Sequence, residues 1–172
     1  MLLHSFRFVT SRLLPQALLV VTLILAGCGG SSEPKAKFES VGGKGFRFQA
    51  PVGWTVKAVP SGIGASSDSE LVQVATFLLV RAYDPALFDK VAGELAVRMQ
   101  AIAKQTGGTL GKAETVTPGG IRSHSYRVDV GDHVDQYTFV LRGKREYQLL
   151  CRRRSSSSDA FCKQLIASFT PA

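Results

Sequence analysis

Cys28 closes the run Leu25-Ala26-Gly27-Cys28: a branched apolar residue, two small ones, then a thiol. That order is the pattern of a bacterial lipobox. A thiol there is alkylated by a diacylglycerol, and the small residues before it let a lipoprotein signal peptidase reach the preceding bond. An ordinary secretory signal or an uncleaved apolar anchor would leave the thiol of Cys28 without a role. Two acyl chains anchor a protein stably where one gives only reversible binding.

The other two cysteines, Cys151 and Cys162, form an even pair in a compartment that permits disulfides. They are expected to be bridged. A redox or metal pair is the alternative, but the spacing is far from Cys-x-x-Cys and no histidine lies nearby. Closing so short a loop stabilises by roughly 3 kcal/mol in the chain-entropy picture.

Asp129, Asp132, His133 and Asp135, with His124 further off, are the residues most able to do acid–base or metal chemistry. A metal needs at least three such ligands converging at about 2.0–2.6 Å. In the hairpin expected here, His133 and Asp135 share a face while Asp129 points the other way. His124 falls opposite Phe139, as a histidine at the edge of the core would. The sequence has no Gly-x-Ser-x-Gly, His-Glu-x-x-His, Ser-x-x-Lys or Walker pattern, and Gly62-Ile63-Gly64 lacks the lysine of a phosphate loop. The expectation is a protein without catalytic residues, metal or cofactor.

Charge points to surfaces. Residues 1–27 hold two of the 21 lysines and arginines and none of the 13 acids, so the rest of the chain carries a net +6. Arg142, Lys144, Arg145, Arg152, Arg153 and Arg154 are expected around one hairpin end, with only Glu146 close in sequence. There they would face phospholipid head groups or anionic wall polymer. Export removes nucleic acid as a partner.

These residues must be positioned by three segments. Residues 1–27 read as a leader: Arg7 and Arg12, no acids, then the apolar run Ala17 to Ala26, too short to span a bilayer. Residues 28–37 are Gly, Ser, Glu, Pro and Lys rich, a lipidated flexible tether. Residues 38–172 are one domain. Gly45–Gln49 and Trp54–Lys57 alternate as strands and suggest a hairpin turning on Pro51-Val52-Gly53, with Trp54 capping the core. Pro60–Glu70 reads as a mobile Gly/Ser loop. Val74–Val80 reads as a central strand covered on both faces. Asp84-Pro85 opens a helix that Gly107-Gly108 stops, with Leu87, Val91, Leu95, Met99 and Ile102 as its apolar stripe. Gly131-Asp132 sets a two-residue hairpin turn pairing Val130 with His133, Tyr126 with Tyr137 and His124 with Phe139. A three-residue loop, Gly143–Arg145, is expected next. It pairs Leu141 with Tyr147, Phe139 with Leu149 and Tyr137 with Cys151. A final helix holding Phe161, Cys162, Leu165 and Ile166 reaches back to Cys151.

Phe46-x-Phe48-x-x-Pro51-x-Gly53-Trp54, the middle helix, the meander with Tyr147-x-Leu149, and the closing helix before Ser168-Phe169 together resemble the PsbP-like family. That family includes an extrinsic photosystem II protein, a Ran-binding nuclear import factor and many bacterial lipoproteins. The resemblance implies an α+β fold, an antiparallel sheet sandwiched by helices, and a binding or assembly role. It supplies no active-site residues. The expected function is a non-catalytic lipoprotein module on the extracytoplasmic side of the cell membrane, with an envelope protein, lipid or anionic polymer as partner. The alternatives are an envelope hydrolase or metal-dependent enzyme with an unfamiliar site, and a carrier for a lipid-like ligand.

Overall fold

Apolar alternation and short turns dominate the folded part, and strand outweighs helix among the described residues. A computed structural model describes residues 37–172, which lie in one compact unit. Cys28, the leader and most of the tether lie outside the described residues. In chain order the elements are β1 (Phe38–Gly43), β2 (Phe46–Pro51), β3 (Thr55–Val59), β4 (Gly62–Ser67), β5 (Glu70–Leu78), α1 (Phe88–Thr106), β6 (Thr109–Leu110) and β7 (Glu114–Val116). Then come β8 (Ser123–Val130), β9 (His133–Arg142), β10 (Arg145–Arg154), α2 (Ala160–Ser168) and β11 (Thr170–Pro171).

The β8–β9 hairpin turns on Gly131-Asp132 with Val130 opposite His133, Tyr126 opposite Tyr137 and His124 opposite Phe139, the predicted register. The next turn differs. It is the two-residue turn Gly143-Lys144, which sets Arg142 opposite Arg145, Leu141 opposite Glu146 and Phe139 opposite Gln148. The expected three-residue loop is wrong by one residue, and a one-residue slip moves every side chain to the other face. The reason is tertiary. The buried Glu146 carboxylate receives the Arg98 guanidinium from α1 at 2.7 Å, and Arg98 also lies 5.2 Å from the centre of the Phe139 ring. Tyr147, Leu149 and Cys151 therefore point to the opposite face.

The main sheet has eight strands: seven in the order β3-β4-β5-β10-β9-β8-β6, with β7 also pairing to β8. A second sheet has the order β1-β2-β11. Two expectations fail here. β2 and β3 do not form a hairpin, because the turn at Val52-Gly53, with Gly53 at φ +87°, carries the chain from the small sheet to the large one. Pro60–Glu70 is not a mobile loop: Gly62–Ser67 pairs with both β3 and β5. Its Gly62 serves close packing, since a Cβ there would sit 1.9 Å from the Val74 carbonyl oxygen.

Each face of the large sheet has its own core. On one, α1 lays Leu95, Met99 and Ala103 against Tyr126, Val128 and Phe139. The predicted start is met only in part. The Asp84 carboxylate accepts from the Ala86 N–H at 2.9 Å and Pro85 follows, but they open a 3-10 turn, Pro85–Leu87, that leads into α1 without a side-chain cap. Leu87 is exposed rather than in the apolar stripe, and left-handed Gly107 ends the helix as expected. On the other face, α2 contributes Phe161, Cys162 and Leu165. The small sheet covers the rest of that face, placing Phe46 and Phe48 beside Phe169 and Tyr147. The fold is thus α+β and mostly antiparallel. The expected pair of helical layers is half right, because one face is covered partly by strands. Trp54 packs edge-on against Phe161 at 5.0 Å.

Candidate functional site

The turn between β8 and β9 gathers the acid–base residues singled out in the sequence. Asp135 is the most buried of them, with no exposed surface. Both of its oxygens are engaged by Arg152, Nε to Oδ1 at 2.7 Å and Nη2 to Oδ2 at 2.8 Å. Tyr137 donates to Oδ2 at 3.5 Å, and His133 Nε2 stands 4.0 Å from Oδ1 while its Nδ1 meets Asp132 at 2.9 Å. Asp129 sits on the other face, where Arg127 takes it. The hydrogen bond from His133 lowers the Asp132 carboxyl, that to Asp135 raises the Arg152 guanidinium, and burial followed by the Asp135 charge raises the Tyr137 phenol. Asp135 has no lone pair facing open space, so the group acts as a structural ion pair fixing the β9–β10 register near the turn. Among the described residues, no three histidine, cysteine, aspartate or glutamate side chains are placed to hold a metal ion.

The structural role has a direct test. Asp135→Asn keeps the shape and removes the charge that Arg152 meets. It should lower stability by about 1.5–3 kcal/mol, the range for hydrogen bonds to charged groups. The guanidinium midpoint should fall with its slope unchanged. An unchanged midpoint would show that the pair contributes nothing.

His124 is sealed rather than poised. It stacks on Phe88 at 3.8 Å, and its Nε2 donates to the Phe88 carbonyl at 3.0 Å. Arg122 lies on the same phenyl ring at 3.8 Å.

The six cations expected together are separated. Arg142, Lys144 and Arg145 flank the Gly143-Lys144 turn, whereas Arg152, Arg153 and Arg154 lie at the far end of β10, beside the other turn. A strand rises about 3.3 Å per residue, so the two groups are roughly 25 Å apart. The second group is also occupied. Arg152 holds Asp135, Arg153 donates to the carbonyls of Arg154, Ser155 and Ser157, and Arg154 reaches Ser69 at 2.9 Å and Asp68 at 3.9 Å. Among the described residues, Lys144 and Arg145 have no such partner.

Beside the free group lies a feature the sequence hid. The apolar run ending at Val80 is not covered on both faces at its end: Val80 is 97% exposed, Leu78 78% and Phe77 41%. The unbroken apolar run signalled burial, but β5 outruns the helices that cover it. A groove of about 400 Å³ adjoins, lined by Leu79, Tyr83, Val91, Leu95, Leu141 and Glu146. A smaller polar cleft of about 130 Å³ lies near the disulfide, against Ser125, Arg127, Gln136, Arg153 and Cys162. Neither His124 nor His133 lines either space.

Cys151 and Cys162 are joined by a disulfide with Cα atoms 5.5 Å apart, tying the first turns of α2 to β10.

The described residues thus form an antiparallel sheet with one long helix on one face and a helix plus small sheet on the other. The solution structure of cyanobacterial PsbP (CyanoP) from Synechocystis sp. PCC 6803 is similar at TM-score 0.58 and 17% identity, covering 86% of this chain and 99% of that one. A crystal structure from Bacteroides thetaiotaomicron matches at TM-score 0.42 and 11% identity, covering 74% of this chain and 45% of that one. No protein-family model and no curated protein sequence matches. The described residues share the fold of that cyanobacterial PsbP structure, and the likeness extends to the fold alone.

Proposed function

We propose that this protein is a lipid-anchored, extracytoplasmic binding or assembly module of the cell envelope, without catalytic activity. The observation that carries the proposal is the Cys151–Cys162 disulfide. Such bridges persist in oxidising compartments and are rare in the cytosol. The lipobox at Cys28 supplies the matching route out and the attachment. The acid–base residues named in the sequence support a non-catalytic role, since Asp135 and His124 are taken up by internal partners.

The experiment is Cys28→Ala in a bacterial host with labelled palmitate. The parent should be cut before Cys28, take up label and sediment with membranes. The variant should accumulate as an unlabelled, uncut precursor. A variant that is cut and fractionates like the parent would overturn the anchor.

A further inference from the structure

We propose that the end of the large sheet formed by Phe77–Ala82 and the Gly143-Lys144 turn docks onto an anionic lipid bilayer, with Leu78 and Val80 entering the head-group layer. The proposed anchoring supplies its setting, while the contact itself stands on separate geometry.

The segment after β5 is held at both stems. Leu79 N donates to the Lys144 carbonyl at 3.0 Å, and Tyr83 N donates to the Gly143 carbonyl at 2.7 Å. Between the stems, Val80, Arg81 and Ala82 project into solvent. A floppy apolar tip would lose conformational entropy on entering a membrane. This one is already fixed, so less is lost.

Around the apolar tip stand cations without internal partners. Arg145 pairs directly with Leu78 across the strands. Among the described residues, Arg81, Lys144 and Arg145 form no side-chain hydrogen bond or ion pair, and Arg142 only donates to the Pro171 carbonyl at 3.4 Å. The β1–β2 turn adds Lys44 at the same end, since Tyr147 donates to the Gly45 carbonyl at 3.3 Å. Three acids lie on this side: Glu146, which Arg98 meets; Glu94, which lines the adjoining groove with Val80 and Arg81; and Asp84, which caps the 3-10 turn before α1, so the cations still outnumber them. Exposed branched apolar residues inside a ring of lysine and arginine complement the acyl boundary and the phosphates of an anionic leaflet. A solvated protein surface gives no reason for that combination.

Reach permits the contact. The tether joins the domain at Lys37, whose carbonyl accepts from Val52 N, at the end of β1 away from the Gly43–Gly45 turn. At roughly 3.3 Å per residue, β1 separates that end from the tip by about 20 Å, while the residues from 29 to 37 extend to at most about 30 Å. An anchor at Cys28 therefore allows the tip to meet the same bilayer, with the domain lying along it.

The test replaces the lipid with a tag, so that it does not depend on Cys28. Residues 29–172 with an N-terminal histidine tag are held on nickel-chelating vesicles of phosphatidylcholine, with or without phosphatidylglycerol. Amide hydrogen exchange is then followed at residues 77–83 and 142–146. Protection of about tenfold is expected on the anionic vesicles only, and it should fall as salt is raised. Leu78→Ser with Val80→Ser should remove it, as should Arg81→Ser with Lys144→Ser and Arg145→Ser, with the disulfide and melting temperature unchanged. Equal protection on neutral vesicles, none on anionic ones, or protection that survives both variants would overturn the proposal. So would protection in free solution that grows with protein concentration, which would make a second copy the occupant. Failure of Cys28 acylation would leave this result standing, and the reverse is equally true.

Discussion

Replacing both bridge cysteines, Cys151→Ala with Cys162→Ala, should lower the thermal midpoint of the domain by about 10 °C. The bridge spans 11 positions, and loops of this size contribute about 3 kcal/mol in the chain-entropy picture. For a domain of this length each kcal/mol moves the midpoint by roughly 3–4 °C. Packing adds to the effect, because both sulfurs sit in the core shared by Val72, Leu149, Phe161 and Leu165. α2 is short, and besides packing and the bridge its start is held only by exposed ties, the Ala160 N–H donating to Ser158 Oγ at 3.2 Å and Lys163 meeting Asp159 at 3.0 Å. Hydrogen exchange should therefore speed first in α2, before β8–β10. Melting of oxidised, reduced and double-alanine protein measures the shift. A change of only a degree or two would mean that α2 is held by its apolar face alone.

Gly62→Ala should cost about 3 kcal/mol, an unusual amount for one methyl group. The added carbon would lie 1.9 Å from the Val74 carbonyl oxygen and 2.8 Å from the Ala75 Cα, both backbone atoms of the paired strand β5. No side chain can turn aside, so β4 must move away from β5, at the upper end of the usual cost of overpacking. Gly64→Ala is the control, because its nearest neighbour would be a Leu71 methyl at 3.4 Å, an ordinary contact. Guanidinium unfolding of the two variants should differ by more than 2 kcal/mol. Similar midpoints would show that the β3–β4 hairpin shifts freely.

These two positions mark what the sequence made legible. The cysteine pair could be found by counting, because a bridge depends on compartment and parity more than on distant packing. Gly131-Asp132 could be read because the alternation on both sides of the turn agrees. Gly62 could not be: composition alone does not tell a glycine that loosens a loop from one that lets two backbones approach. The second turn failed for a related reason. Pairing apolar with apolar is a sound local rule, but Glu146 is answered by Arg98, which stands 48 residues away on α1. The cation group failed because nearness in sequence becomes separation along an extended strand, and only three of the six remain at one end. The apolar tip went unread because periodicity reports burial only where something exists to cover the strand.

The small sheet has a consequence for how the domain is made. Its middle strand β2 is tied to residues that arrive very late: Gln49 N to Ser168 across 119 positions and Gln164 to Gln49 across 115, with Phe169 closing over Phe46 and Tyr147. Contacts this distant in sequence form slowly. Until residues 161–171 have emerged, Phe46, Phe48 and Tyr147 present a bare aromatic surface beside unpaired strand edges. A chain in that condition stays open enough to be threaded across a membrane, and it is also prone to stick to other chains. Under the export proposed above, synthesis should yield a chain that needs a chaperone's cover, with the finished fold appearing only once residues 161–171 are free to close over the small sheet.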